Sequence, residues 1–469
     1  MEMVCGAMNS YSDILVPYEG LINENYYKLQ SRETELISNI EYYTGRSINP
    51  YNKKYENFIG LLLKSKYDGV KPEDNANIKL GDTDFAITLD ISGSMSSPLD
   101  NKKTIIPRIE LAKKALLTMI DNLKDGNQLS ISVFNNISTT LIPLSPKSEV
   151  LFLKEKIKNI GAGGGTDLYE ALKGGYETLN ISKNKFKRII IITDGWDDDK
   201  NFMNYAKTVT NNGVGISVIA IDTQSNSKLF EKFSKLGGCN YFIATEEKDL
   251  EKYLIHQFHY MTFVSSYNMK LNFESDECDI IKAIGTNSED NNINNLCNIP
   301  SCFPSDLKFN GEEVYQEGGL ILLKIKPKSD NNKNGVIKLN LKLEYSDNED
   351  KTYIQNYPIE FEINDGEFFS NDYMKKGIAL YYYGKIRRKI AKYFNSDVKF
   401  TTGGPVIENV DVEKKKKLYN FLRRDNENID KAIIFFNQNY FNDIVDNQKE
   451  KYLETLNEKY NAFLKEIEN

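Results

Sequence analysis

The stretch Asp84-Phe-Ala-Ile-Thr-Leu-Asp90-Ile-Ser92-Gly-Ser94-Met95 decides the reading of this chain. Phe85, Ile87, Leu89 and Ile91 form a short apolar run with no charge between Asp84 and Asp90, the pattern of a strand buried in a sheet. The run ends in one carboxylate and two hydroxyls spaced i, i+2, i+4 around Gly93. Side chains at period two share a face, and the glycine permits a sharp turn. Three hard oxygen donors at a strand end suit a small hard cation. Taken alone, the same residues also read as a capped helix start, with serine hydroxyls on free amides.

Outward from this stretch, apolar strands and amphipathic helices alternate. Ile105, Ile109, Ala112, Leu116, Met119 and Leu123 recur at steps of three and four, the spacing of a helix. Leu129, Ile131 and Val133 form a strand, and Val150 to Ile160 a second helix. Gly161-Ala-Gly-Gly-Gly-Thr166-Asp167 leads into a third helix through Leu172 and Leu179. Ile189–Ile192 is a strand ending at Thr193-Asp194-Gly195. A helix over 200–212, a strand over 216–221, a helix over 227–236, a strand over 240–244 and a helix over 247–260 follow. Buried strands alternating with helices specify a doubly wound, mostly parallel α/β sheet, which binds ligands at its strands' carboxyl ends. Asp90 and Asp194 both fall there.

The chain divides on these patterns into four parts: residues 1–80, read as helical from Leu36, Ile40 and Tyr43 with Gly45 as terminator and a second short helix over 57–66; the α/β domain at 81–262; an antiparallel β-sandwich at 263–365; and a helical region at 366–469. In the sandwich, Tyr267 to Phe273, Ile337 to Tyr345 and Ile359 to Ile363 alternate with polar residues. Asn287–Asn298 and Asp330–Asn334 read as solvated loops. In the last part, Ile378, Tyr382, Ile386, Ile390 and Tyr393 share one helical face, as do Leu453, Leu456, Tyr460 and Phe463. The basic stretches Lys385–Lys392 and Lys414–Lys417 read as solvated helix faces.

The 469 residues exceed what one core holds, and a net charge of −7 gives no support to nucleic-acid binding. Five cysteines, an odd number without a Cys-x-x-Cys pair, suit free thiols in a reducing, cytoplasmic setting. No signal peptide or membrane-spanning run is visible. The only two histidines, His256 and His259, lie i, i+3 and read as ordinary helix residues. There is no His-Glu-x-x-His and no Gly-x-Ser-x-Gly. Gly163-Gly-Gly-Thr166 lacks the Lys-Ser/Thr of a Walker loop and the last glycine of a dinucleotide loop. Asp90 fails as an Asp-x-Asp phosphotransfer nucleophile because Ser92 stands in the second acid's place.

Asp90-x-Ser92-x-Ser94, Gly-Gly-Thr166-Asp and Ile-Thr-Asp194-Gly, in this order, resemble the metal-ion-dependent adhesion site of a von Willebrand factor A domain over roughly residues 82–260. The resemblance implies that Ser92 and Ser94 bind Mg²⁺ directly. Thr166 would bind it directly or through water, and Asp90 and Asp194 mainly through waters. Mn²⁺ would substitute, and a protein partner's Asp or Glu would complete the octahedron. The implied function is an intracellular, non-enzymatic adaptor or scaffold. Metal-assisted hydrolysis with the same ion, or a structural A domain with no metal-dependent partner, stand as alternatives. Asp167 reads as a helix N-terminal residue. Asp197 to Asp199, after Trp196, read either as a solvated loop or as an acidic run selecting a partner with basic residues around its acid. The wider chain order resembles A-domain proteins of the inter-α-trypsin-inhibitor heavy-chain and chloride-channel-like groups. The helical reading of the first 80 residues leaves no room for the former's N-terminal sandwich, and the latter's His-Glu-x-x-His protease is absent, so neither channel nor protease activity is implied.

Overall fold

The computed structural model describes residues 26–30, 34–50, 52–70, 83–99, 105–195, 200–221, 229, 233, 234, 236–244, 246–285, 295–328, 335–363, 365–394, 399–401 and 404–406. The chain divides into two compact units. One comprises residues 70–267 with 299–304, the other the sequence on either side of these segments.

The first unit is built on a six-stranded sheet. Its labelled elements are β1 (Thr83–Asp90), α1 (Arg108–Asp121), β2 (Gln128–Phe134), β3 (Ser138–Pro146), α2 (Leu168–Leu179), β4 (Phe186–Thr193), α3 (Lys200–Asn211), β5 (Val214–Ile221) and β6 (Cys239–Ala244). The sheet order is β3-β2-β1-β4-β5-β6, with only β3 antiparallel to its neighbour. The chain winds to one side of β1 and then returns to the other through β4, so the order reverses between β1 and β4. Ligands of open α/β sheets sit at such a switch point.

The apolar runs form these strands because both sheet faces are covered. Phe85, Ile87, Leu89, Ile190 and Ile192 pack with α1 on one side. Ala86, Ile189 and Ile191 pack with α2 and α3 on the other. Gly175 lets α2 approach closely: a Cβ there would stand 2.8 Å from Cγ2 of Ile189 and 3.1 Å from Cγ2 of Thr88.

Three sequence expectations change here. Strand β3 was not foreseen; it is a half-exposed edge strand whose polar Ser-Thr-Thr start hides the period. The helix expected over 150–160 is two short ones, Lys147–Phe152 and Lys154–Lys158. The one expected over 247–260 is three short segments ending at Thr262. The helix expected over 227–236 lies mostly outside the described residues.

The second unit corrects the helical reading of residues 1–80. Tyr26–Lys28, Asn39–Ile48 and Tyr55–Lys64 are strands. The last two pair over ten residues in a five-stranded antiparallel sheet with Cys278–Ile284, Leu320–Pro327 and Phe368–Phe369. The buried face of Asn39–Ile48 is carried by Tyr43, Gly45 and Ser47, so period two does not show as hydrophobicity. Gly45 is a mid-strand residue, not a helix terminator. A Cβ on it would lie 3.3 Å from Cε of Met374, and one on Gly60 would run into Met374 Sδ. These glycines let the helix Asp372–Phe394 lie against the sheet. Residues 26–64 thus hold strands where the helical reading left no room for an N-terminal sandwich.

The alternating segments after Val264 are strands as expected: Ser266–Glu274, Val336–Ser346 and Thr352–Glu362 share a four-stranded sheet with Asn295–Cys302. That last strand corrects the loop expected over 287–298, at least from Asn295 onward. The β unit is thus assembled from sequence both before and after the α/β domain, not from 263–365 alone. Of the C-terminal helical region, Asp372–Phe394 is described; Asp330–Asn334, Lys414–Lys417 and the face from Leu453 to Phe463 lie outside the described residues.

His259 stacks on Phe263 with ring centroids 5.6 Å apart. Burial, with the charge of Lys124 adding, pushes its imidazole down to about 4. The unfolded chain takes up this proton near the ordinary histidine value of about 6.5. Stability from this group is therefore complete above that pH and lost as pH falls toward 4. His259→Gln is expected to remove about 1 kcal/mol of the stability difference between pH 7 and pH 5, read from urea midpoints. Gly175→Val is expected to lower stability by about 2 kcal/mol at either pH, because neither Ile189 nor Thr88 has room to give way.

Candidate functional site

Strand β1 ends at Asp90, which is fully buried. Its Oδ1 accepts from the Ser92 backbone N–H at 2.7 Å, turning the chain out of the sheet. Its Oδ2 accepts from the Thr193 hydroxyl at 2.6 Å, the last residue of the neighbouring β4. Burial pushes the Asp90 carboxyl up to about 6, and the like charge of Asp194 adds to this, against the hydrogen bonds from Thr193 and Ser92.

The turn after Asp90 is a short 3-10 segment, Gly93–Ser96, held by buried Met95. It places the Ser92 and Ser94 hydroxyls 3.0 Å apart. Ser94 donates to Asp194 Oδ1 at 2.8 Å. The Ser92 side chain also hydrogen-bonds the Asp90 carboxylate. The other oxygen of Asp194 accepts from Arg108 Nη1 at 2.7 Å, an ion pair with both side chains buried.

The glycine loop completes the top of the sheet. Gly163 N–H donates to the Ile91 carbonyl at 2.6 Å, and Gly93 N–H to the Gly164 carbonyl at 3.0 Å. The β2–β3 hairpin grips it from the other side: Asn135 Nδ2 donates to the Gly163 carbonyl at 3.0 Å, and Asn136 Oδ1 accepts from Gly165 N–H at 2.6 Å. Gly164 has φ +95° and its Cβ would strike Asn135, so a glycine is required there. Asp167 caps α2 by accepting from Glu170 N–H at 3.0 Å, in its expected role.

Four of the five residues singled out from sequence therefore form one hydrogen-bonded group: Asp90, Ser92, Ser94 and Asp194. Thr166 borders it through its methyl. A Cβ on Gly195 would run into Thr166 Cγ2, so Gly195 admits Thr166 beside Asp194. Among the described residues, the Thr166 hydroxyl makes no hydrogen bond to the other four. Sequence reading missed Thr193, Arg108, Asn135 and Asn136. Asp197–Asp199 and Trp196 lie outside the described residues.

The donor chemistry suits a hard cation: two hydroxyls beside two buried carboxylates, whose burial carries a cost that a nearby positive charge relieves. Among the described residues no three His, Cys, Asp or Glu side chains gather as a metal cluster.

The family comparison agrees with the α/β fold of the first unit. The family model of the von Willebrand factor type A domain matches residues 84–256. The uncharacterized protein YwmC of Bacillus subtilis (strain 168) is 27% identical over 217 residues, 42% of this chain and 92% of that protein. The von Willebrand factor A domain-containing protein 5A of Rattus norvegicus is 29% identical over 150 residues, 31% of this chain but only 18% of that protein's length. Among solved structures, a von Willebrand factor type A protein from Catenulispora acidiphila aligns over 83% of this chain and 97% of its own, at 13% identity and a TM-score of 0.46. Residues 84–256 of this chain are a von Willebrand factor type A domain.

Proposed function

We propose that this A domain is a protein-interaction module that depends on a divalent cation held by Asp90, Ser92, Ser94, Thr166 and Asp194. Mg²⁺ is the ion that suits the site, with Mn²⁺ as a substitute. The observation that carries the reading is that all four carboxyl oxygens are already engaged. Asp90 is held by Ser92 N–H and Thr193, and Asp194 by Ser94 and Arg108. Carboxylates held in this way act on an ion mainly through waters and through charge. That leaves the serine hydroxyls as direct donors, with Ser94's proton directed to Asp194 and its oxygen keeping lone-pair capacity for an ion.

When bound, the cation supplies a Lewis-acidic position that accepts an oxygen ligand, here an Asp or Glu of a partner. The chain's own residues shape what reaches that position. Ser94 and Gly163 to Gly165 are exposed, so an incoming backbone meets glycines and not bulky side chains. Ile105 and Ile137 are exposed on segments leading into α1 and out of β2. Among the described residues, Cys239, Cys278 and Cys302 form no disulfide, in line with a reducing, cytoplasmic setting. No described helix is long and apolar enough to cross a membrane. The role we assign is that of a non-enzymatic adaptor.

Titration with Mn²⁺, followed by the loss of its free electron-spin signal, tests the reading. The wild-type chain is expected to bind one ion. Ser94→Ala and Asp194→Ala are expected to weaken binding by a hundredfold or more while retaining the far-ultraviolet circular dichroism of the folded chain. Equal binding by all three proteins would sink the assignment. A partner captured in Mg²⁺ and released by chelator gives the protein-binding half of the reading. Phosphoester turnover that disappears in Asp90→Ala would point to hydrolysis in its place.

A further inference from the structure

Arg108 breaks a local rule. It is the first residue of α1, where the helix dipole disfavours a cation, and it is 6% exposed. A buried guanidinium at a helix N-terminus costs free energy unless something specific holds it. Here its Nη1 reaches Asp194 Oδ2 at 2.7 Å. Its backbone is fixed to the same turn that carries the serines: Arg108 N–H donates to the Ser97 carbonyl at 2.9 Å, and Ser97 N–H to the Ser94 carbonyl at 3.0 Å. An isolated bridge between Pro98 and Pro107 closes the loop between them. The guanidinium is thus built into the site.

We propose that Arg108 is a positioning residue that sets the charge of the cation site, lowering its affinity for the metal and raising the affinity of the loaded site for a carboxylate. This rests on the cation-dependent reading above. Asp90, Asp194 and Arg108 together carry one net negative charge. A divalent ion turns this into one positive charge, and a partner's carboxylate brings the group to neutrality. Without Arg108 the loaded site is already neutral, and an incoming carboxylate leaves it negative. At the low dielectric of a buried site, one unit charge changes each equilibrium by about tenfold or more, in opposite directions. Arg108 also occupies the second oxygen of Asp194. The carboxylate then cannot embrace an ion with both oxygens, a mode that Ca²⁺ uses and that octahedral Mg²⁺ does not need.

The test compares wild type, Arg108→Gln and Arg108→Lys in the full chain. Mn²⁺ affinity is read from the free-ion spin signal. Carboxylate affinity is read with glutarate, from the fall in water-proton relaxation as it displaces water from the Mn²⁺-loaded protein. Arg108→Gln is expected to bind Mn²⁺ about tenfold more tightly and glutarate about tenfold more weakly, while Arg108→Lys stays within about threefold of wild type on both. A purely structural role would weaken both affinities together in the glutamine variant, and that result, or no change in either, overturns the proposal. Should the glutamine variant fail to fold, the lysine variant decides: retention of both affinities supports the charge role, and a tenfold loss of either overturns it. If wild type binds no Mn²⁺, the cation reading itself falls and this inference with it. If wild type binds and only the opposite-sign response is missing, this inference falls alone.

Discussion

The hydrogen bond from Thr193 to Asp90 is the contact on which the upper face of the A domain depends. It joins the ends of β1 and β4, the two strands between which the winding reverses, through a carboxylate with no exposure to solvent. With Asp90 fixed by this bond and by Ser92 N–H, the chain must leave the sheet along one path, and that path delivers Ser92 and Ser94 together. The same bond sets where Asp194 begins, since it is the next residue after Thr193. The geometry of three sequence-distant turns thus reduces to one short contact between neighbouring strands. The glycine loop is then added by backbone bonds to Ile91 and Gly93 and by two asparagines of the β2–β3 hairpin.

What the sequence made legible follows from burial. Strands covered on both faces must be apolar along their length, so Phe85 to Ile91 and Ile189 to Ile192 are readable without a structure. Strands whose inward positions hold glycine, serine or threonine are not. Asn39–Ile48 turns Tyr43, Gly45 and Ser47 inward, and at Gly45 Met374 lies so close above the backbone that only a small residue fits. Its few large apolar residues then fell by chance at a helical spacing. Strand β3 escaped notice for a related reason: as an edge, it keeps Thr139 and Thr140 in water. The origin of the second unit's strands on both sides of the A domain has no local signature, since antiparallel pairing such as that between Tyr55–Lys64 and Leu320–Pro327 joins residues more than 250 positions apart.

The site was legible in its donors and not in its supports. Asp90, Ser92, Ser94 and Asp194 stand in short motifs whose chemistry can be read directly, and the structure brings them into one hydrogen-bonded group. Thr193 was read only as part of a strand end, because nothing in a single sequence distinguishes a threonine that packs from one that holds an acid. Arg108 was absorbed into the amphipathic pattern of α1. A signal was available, however: a cation at the first turn of a helix opposes the dipole, and such a departure from local preference marks a place where tertiary structure demands it.

Those departures share one physical cause. A buried acid raised to about 6, a second acid beside it and a buried guanidinium are all unfavourable taken singly. Replacing them by apolar residues of like volume is a change that buried ion pairs commonly tolerate, so stability alone gives no reason to keep them. What the charged set provides is a group of oxygens whose orientation is fixed before any ligand arrives. Each carboxylate is held at both ends, and the hydroxyl between them is polarised toward one of them. Preorganisation of this kind removes the ordering cost from the binding step and places it in folding. The apolar sheet beneath, covered on both faces, is large enough to sustain that cost, which is why a site so unfavourable in its parts can persist at the strand ends of an otherwise ordinary α/β core.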